Sequence, residues 1–277
     1  MANLTDEFVP TVLGRLHVLR RGSGPVTVLW HSLFLDSRSW APLIDALAEV
    51  APRRTIVAID GPSHGRSEPV TRDFTFDDCA RVAGEVLDGL GIDEPVDWVG
   101  NAWGGHVGIL LAATQPRRLR TLTTIGTPVH GIDARFRLTK GWPLVLLYRL
   151  FGATPLVCDP LSVALLGPNG SAEVMDAFRQ ADRSGMYHAA RSMMLKRPDL
   201  HERLPQIAAP TLMLAAHDDD EGWPPEQARA ACAVMRDARV DVVRGGGRVA
   251  PLLIDAQTIA RTLVEFWGNV SPPAPRH

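Results

Sequence analysis

Histidine and aspartate side chains near the ends of predicted strands are the first candidates for chemistry. The chain has nine histidines. His130 follows the predicted strand 121–125, His188 lies in a helical segment, and His217 stands beside the acidic run 218–221. An imidazole that is neutral near pH 7 can accept a proton, so each of these histidines is a candidate general base. A structural role as a hydrogen-bonded side chain is the simpler interpretation of any one of them taken alone.

The same residue types do not form a pattern for a metal or a nucleotide. No two histidines have the i, i+4 spacing of a helical zinc site, and the run 218–221 lacks the alternating ligands of a calcium loop. The glycines at 245–247 do not lead directly into a helix, as those of a phosphate-binding loop do. The sequence therefore predicts no metal and no cofactor.

Composition restricts the partners and the compartment. The 277 residues are 45% hydrophobic and carry a formal net charge of −2, which argues against nucleic acid or an anionic membrane as a partner and favours a small molecule. Cys79, Cys158 and Cys232 are scattered and odd in number, as in a reducing compartment. The N-terminus does not resemble a signal peptide, and prolines interrupt the longest apolar stretch, 142–157. We expect a cytoplasmic protein, and the sequence leaves a homodimer open.

Apolar runs and helical patterns alternate along the chain. Candidate strands are residues 13–20, 26–30, 55–59, 96–99, 121–125, 211–215 and 240–243. Amphipathic or buried helices are predicted between them, including 77–90, which ends at Gly91, 103–114, and a last helix that begins at Asp255. This alternation predicts an α/β fold with a doubly wound, mostly parallel sheet, whose several continuous apolar strands are covered on both faces.

The alternation stops between residues 133 and 206, where the pattern is helical and interrupted by prolines. We interpret 1–132 and 207–270 as one core domain and 133–206 as a helical cap inserted over the carboxyl edge of the sheet. Residues 271–277 are predicted to be a disordered tail.

Four segments, taken in order, resemble the α/β-hydrolase superfamily over nearly the whole chain. They are residues 31–40 (HSLFLDSRSW), 60–67 (DGPSHGRS), 100–105 (GNAWGG), and the closing pair 218–220 (DDD) with 247–252 (GRVAPL). They are similar to the oxyanion loop, the turn after a core strand, the nucleophile elbow, and the acid and histidine loops of that superfamily. The resemblance implies an eight-stranded sheet flanked by helices, with the site at its carboxyl edge.

The resemblance also assigns roles to positions, and two of those positions hold the wrong residues. Ala102 stands where the nucleophile is expected, and a methyl group cannot attack a carbonyl carbon. Arg248 stands where the catalytic histidine is expected, and arginine stays protonated in proteins. The acid position falls on Asp219 or Asp220, depending on where the count begins.

The oxyanion donors implied by the resemblance are the backbone N–H groups of Trp103 and Leu33. Further residues are expected around the pocket because loops at this edge form the sites of open α/β sheets. These residues are His31, Trp40, Asn101, His130 and His188. His31, like His64, has the simpler alternative of shaping its turn.

Two explanations for Ala102 stay open. It is either a serine-to-alanine substitution in a serine hydrolase or the result of a lineage that lost its triad, and the second accounts for Arg248 as well. Arg248 has two interpretations of its own, an ion pair with Asp219 or Asp220, or a clamp on a ligand carboxylate or carbonyl.

Three functions follow from these positions. The first is oxyanion-assisted, non-covalent chemistry on a small hydrophobic ester, lactone or polyketide-like compound. The second is binding of such a compound without turnover. The third is a serine hydrolase disabled at Ala102.

Overall fold

A computed structural model describes residues 5–167, 175–217, 223–245 and 248–270. Within these ranges one sheet of eight strands has the order β1-β2-β4-β3-β5-β6-β7-β8. The strands are β1 Thr5–Thr11, β2 Gly14–Arg21, β3 Val26–Trp30, β4 Thr55–Ile59, β5 Val96–Asn101, β6 Leu119–Ile125, β7 Thr211–Ala216 and β8 Ala238–Val243. Strand β2 pairs antiparallel with β1 and β4, and all other pairs are parallel. This confirms the predicted sheet.

Strand β1 is absent from the strands predicted by apolar runs. It is an edge strand in which Val9 is the only buried side chain, so its sequence carries little hydrophobic signal. Gly14, with φ of +94°, allows the tight turn that folds β1 back on β2.

Helices flank the sheet. They are α1 Ala41–Val50, α2 Phe76–Gly89, α3 Trp103–Thr114, α4 Ala134–Phe136, α5 Trp142–Phe151, α6 Pro155–Leu166, α7 Asp176–Gln180, α8 Arg183–Leu195, α9 Pro225–Cys232, α10 Ala250–Ile254 and α11 Ala256–Asn269. Helix α1 packs against α11 and α2 against α3.

The ends of the long helices follow local chemistry. A reciprocal capping box between Thr75 and Asp78 begins α2, and Gly91, with φ of +65°, follows its end. Asp255 immediately precedes α11 but makes no capping hydrogen bond; its carboxylate accepts the backbone N–H of Arg244 at 3.0 Å. The predicted start of the last helix is therefore correct.

All described elements between β6 and β7 are helical, from α4 through α8 to a short 3-10 turn, His201–Gln206. We call this segment, residues 134–206, the helical insertion. No helix in the described ranges is both long enough and apolar enough to cross a membrane. The predicted tail, 271–277, lies outside the described residues.

A buried carboxylate ties the edge of the sheet to the loops that follow it. Asp60 is 2% exposed, accepts the N–H groups of Ser37 at 2.8 Å and Arg66 at 2.9 Å, and lies 2.7 Å from Nδ1 of His17. Burial alone would raise the pKa of Asp60, but these hydrogen bonds outweigh it and lower the pKa to about 2. Gly65 is required beside it, because a Cβ there would lie 2.2 Å from an Asp60 carboxylate oxygen.

We expect Asp60→Asn to lower the free energy of unfolding by about 3–5 kcal/mol at pH 7, because an amide cannot accept all of these donors. The folded-state pKa of about 2 lies below the ordinary 3.8, so the carboxylate stabilises the fold above 3.8 and loses that effect as the pH falls through 2. The deficit of the variant should therefore shrink between pH 4 and pH 2.5, as measured by urea denaturation. Asp45→Asn on the exposed side of α1 is the control, expected within about 0.5 kcal/mol of wild type. Equal effects of the two substitutions would contradict this role.

Candidate active-site cavity

The turn between β5 and α3 places Ala102 at the N-terminal end of α3. Its φ of 47° and ψ of −101° lie outside the regions that alanine favours, at a cost of about 1–3 kcal/mol. An added Cβ on Gly100 would lie 2.2 Å from the backbone of Gly104, and one on Gly104 would lie 1.9 Å from the carbonyl oxygen of Trp30. The glycines around Ala102 are therefore required by the close approach of strand and helix, which forms the sharp strand-to-helix turn.

Two residues that line the cavity beside Ala102 each have a backbone N–H group without a hydrogen-bond partner among the described residues. Trp103 is the first residue of α3, so its N–H has no partner inside the helix. Leu33 lies in the turn after β3, and its N–H donates no hydrogen bond within the described part of the chain. Leu33, Ala102 and Trp103 line the same cavity. Two such donors could stabilise a developing oxyanion.

Two buried histidines hold the turn that contains Leu33. Nε2 of His31 accepts the N–H of Gly61 at 2.8 Å, and Nε2 of His64 accepts the N–H of Phe34 at 3.1 Å. Because each Nε2 accepts, each Nδ1 carries the proton, and it donates to a nearby carbonyl oxygen at 2.7 and 2.8 Å. Burial lowers the pKa of both rings, to about 3 for His64. Both are neutral and shape the loop.

The cavity has a volume of about 520 Å³, in the range of small-molecule sites. The loops of the core contribute one side of its wall, and the helical insertion contributes most of the apolar side. That apolar side includes Leu144, Leu147, Val157, Leu161, Leu165 and Met193. Its shape and lining suit a compact hydrophobic compound.

Basic side chains also reach the wall. Arg197, just after α8, is 7% exposed and donates through Nε to the carbonyl oxygen of His130 at 3.1 Å. Burial, and then the charge of Arg248, lower the pKa of Arg197 to about 9, so it remains protonated at pH 7. Arg248 is a second member of the wall. Sequence reasoning missed Arg197, whose only local signal is a basic residue at the end of an otherwise apolar helical stretch.

His106 is the one histidine in the described part of the wall, and sequence reasoning missed it too. It lies four residues after Ala102, one turn further along α3, a spacing that could have identified it. Its Nε2 donates to the carbonyl oxygen of Pro128 at 2.7 Å, so Nδ1 is an unprotonated acceptor, buried and without a partner. Burial, followed by the charge of Arg197, holds the pKa of His106 well below its usual range. It is a hydrogen-bond acceptor but a weak base.

His130, predicted to line the pocket, is not among the residues that line this cavity. Its half-buried ring has its centroid 6.2 Å from that of Trp223. Burial and the charge of Arg197 lower its pKa further from the value that a general base needs.

His188 and Trp40, which were expected around the pocket, are also not among the residues that line this cavity. Nδ1 of His188 lies 2.9 Å from the carboxylate of Asp73, so this side chain links α8 to the loop before α2 instead of entering the cavity. Trp40, at the start of α1, is fully buried in the core and absent from the wall. Trp103 does lie in the wall.

Asn101 acts on the loop behind the cavity. Its Nδ2 donates to the carbonyl oxygens of Ile125 at 3.0 Å and Arg248 at 2.6 Å, which fixes the loop that carries Arg248. Asn101 does not line the cavity itself.

The acidic run after His217 lies outside the described residues, and with it the predicted acids Asp219 and Asp220. Among the described residues, no group of three or more histidine, cysteine, aspartate or glutamate side chains could hold a metal ion.

These features agree with the comparison to known families. The Alpha/beta hydrolase family matches residues 27–261, which is most of the chain. The chain belongs to this family.

Individual relatives are enzymes acting on esters and epoxides. A pimeloyl-acyl-carrier-protein methyl ester esterase from Xanthomonas oryzae pv. oryzae is 28% identical over 271 residues, covering 92% of this chain and 100% of the relative. Bifunctional epoxide hydrolase 2 of Mus musculus is 28% identical over 174 residues, 62% of this chain and 30% of that protein.

Solved structures share the fold at lower identity. An esterase from Thermogutta terrifontis superposes with a TM-score of 0.83 at 19% identity, covering 98% of this chain and 100% of that one. An enol-lactonase from Burkholderia xenovorans LB400 gives 0.83 at 21% identity, with coverages of 95% and 100%.

We expect Gly104→Ala to lower the free energy of unfolding by about 1–3 kcal/mol, because its methyl group would overlap the Trp30 carbonyl oxygen. Gly268→Ala is the matched control, since Gly268 lies on the exposed side of α11 with nothing within 4 Å of a Cβ. That change should raise helix stability by up to about 1 kcal/mol. Thermal and urea denaturation measure both, and a Gly104→Ala protein as stable as wild type would show that the turn can relax.

Proposed function

We propose that this chain binds a small, largely apolar carbonyl compound of the ester, lactone or polyketide-like class and acts on it without a covalent acyl-enzyme. The observation that carries the proposal is the pair of uncommitted N–H groups at Leu33 and Trp103, in an apolar cavity whose nucleophile position is Ala102. The likeness to methyl ester esterases at 28% identity supports an acyl compound as the ligand.

The chemistry left to such a site is stabilisation of negative charge on oxygen. Each well-placed N–H donor contributes about 3 kcal/mol to a developing alkoxide or enolate. The charge of Arg197 in the same wall adds to this effect. Isomerisation, cyclisation, elimination and decarboxylation of carbonyl compounds each have routes through such an anion, and those routes need no serine nucleophile.

Proton transfer is the demanding step. Nδ1 of His106 is a buried, unpartnered ring nitrogen one helical turn after Ala102, and its lowered pKa makes it a weak base. The proposed substrates are therefore those whose acidic proton is already activated by a carbonyl group. The helical insertion serves as a cap, residues 133–206, over the core formed by 1–132 and 207–270.

A second candidate is binding without turnover. It is favoured by the composition of the described wall, which holds no aspartate, glutamate or tyrosine and a single histidine. The third candidate is a serine hydrolase disabled at Ala102. It requires a general base that can accept the proton of a restored serine.

Restoring the nucleophile separates the third function from the first two. We expect Ala102→Ser to give almost no hydrolysis of p-nitrophenyl butyrate, since the weakly basic His106 cannot take the serine proton efficiently. Ala102→Ser combined with Arg248→His should give at least roughly tenfold more, because general-base catalysis contributes about 10²–10⁴-fold where geometry allows it. Strong activity of the single variant would overturn the proposal and identify a disabled serine hydrolase.

Blocking the cavity tests the binding site itself. We expect Ala102→Leu to weaken binding of methyl octanoate or δ-decalactone at least roughly tenfold, because the larger side chain occupies the space beside the N–H donors. Ala113→Leu, on the same helix but outside the wall, should bind as wild type does. Quenching of tryptophan fluorescence, with Trp103 in the wall, reports binding, and product analysis separates turnover from binding alone. Equal binding by both variants would contradict the proposed site.

A further inference from the structure

Basic side chains are present in the cavity wall. Its described members include Lys140, Arg197 and Arg248, and no aspartate or glutamate. A cation without a counter-charge in an otherwise apolar cavity favours an anionic group on the ligand, and Arg197 is the side chain for which the described residues provide none.

Arg197 is the most deeply buried of the three. At 7% exposure it has left most of its hydration, a loss that costs several kcal/mol when no counter-charge compensates it. Within the described part of the chain it forms no ion pair, and its one hydrogen bond is the Nε contact to His130. Its terminal nitrogens are therefore uncommitted.

Two partly buried arginines among the described residues are compensated by a carboxylate. Arg54 and Arg120, with side chains 12% and 17% exposed, both bind the carboxylate of Asp97, the latter at 2.6 Å. Arg197 differs from these two arginines because no described carboxylate pairs with it. It also lies in the wall of the cavity.

The neighbours of Arg197 do not supply the missing charge. His130 and His106 have pKa values lowered below their ordinary range, by burial first and by Arg197 next, so both rings are neutral at pH 7. Arg248 adds a like charge that disfavours the protonated form of Arg197.

We propose that Arg197 binds a carboxylate group of the ligand, so that the preferred compounds are apolar carboxylic acids whose hydrocarbon chain packs against Leu144, Leu147 and Leu161 of the insertion. This inference rests on the proposed use of the cavity for a small carbonyl compound. It specifies that this carbonyl compound is a carboxylic acid. A guanidinium presents parallel N–H donors that match the two oxygens of a carboxylate.

The test compares octanoate with methyl octanoate, which has the same chain and no charge, by isothermal titration calorimetry at pH 7. Wild type should bind octanoate at least roughly tenfold more tightly than the ester, since a charge-assisted hydrogen bond to a buried group contributes about 1.5–3 kcal/mol. Arg197→Met should abolish this preference, and Arg197→Lys should restore part of it. Arg191→Met is the matched control on α8: this arginine lies outside the cavity wall, 3.4 Å from Asp73, and its loss should leave the preference intact.

The outcomes are separable. Equal binding of octanoate and the ester by wild type overturns the carboxylate site and leaves the proposed carbonyl-binding function standing. Arg197-dependent binding of octanoate with no binding of the ester supports the carboxylate site and counts against a neutral carbonyl ligand. Failure of both to bind overturns both. Displacement of octanoate by equimolar inorganic phosphate would overturn the assignment to carboxylates. Circular dichroism verifies that Arg197→Met is folded, and if it is not, the Arg197→Lys result decides.

Discussion

Helix α3 approaches the sheet so closely that its second residue, Gly104, meets the backbone of Trp30, and the rest of the site depends on that contact. The indole Nε1 of Trp98 donates to the carbonyl oxygen of Gly104 at 3.0 Å, which fixes the first turn of the helix against the strands. Any side chain at this point would push the helix outward. With the helix held in place, the chain must turn within one residue, and Ala102 takes the positive φ that this requires.

The electrostatics of the site follow from the same placement. The amino end of α3, with its unpaired N–H groups and positive end of the helix dipole, lies at the cavity together with Arg197 and Arg248. Burial first, and then the charges of Arg197 and Arg248, lower the pKa values of His106 and His130, so the arginines disfavour protonation of both imidazoles.

Local patterns predicted the parts of the fold whose signal is local. The apolar parallel strands, α3, the start of α11 and the glycine after α2 all follow from short stretches of sequence, and the eight-stranded sheet is confirmed. Strand β1 was not predicted because an edge strand with one buried residue has no apolar run.

The site was harder to predict because cavity walls depend on which way each side chain turns. His130 follows the expected strand but turns toward Trp223, whereas His106, inside a uniformly apolar helix, reaches the wall. Arg197 was not predicted as a site residue for a different reason. Its sequence neighbours resemble the end of a solvated helix, and only the tertiary fold buries it.

The strain at Ala102 shows that the turn imposes its backbone conformation on the residue it carries. Glycine would adopt this φ with no steric penalty, whereas alanine sustains a cost of about 1–3 kcal/mol, and the surrounding backbone contacts impose the conformation on either residue. The backbone geometry at position 102 is therefore a property of Gly100, Gly104 and the strands, and it does not depend on which side chain the turn carries. Arg248 differs from Ala102, because a cation at that position changes the charge of the site and not only its reactivity. In the described wall Arg248 lies with the buried Arg197, whose pKa is lowered by burial first and by the charge of Arg248 next.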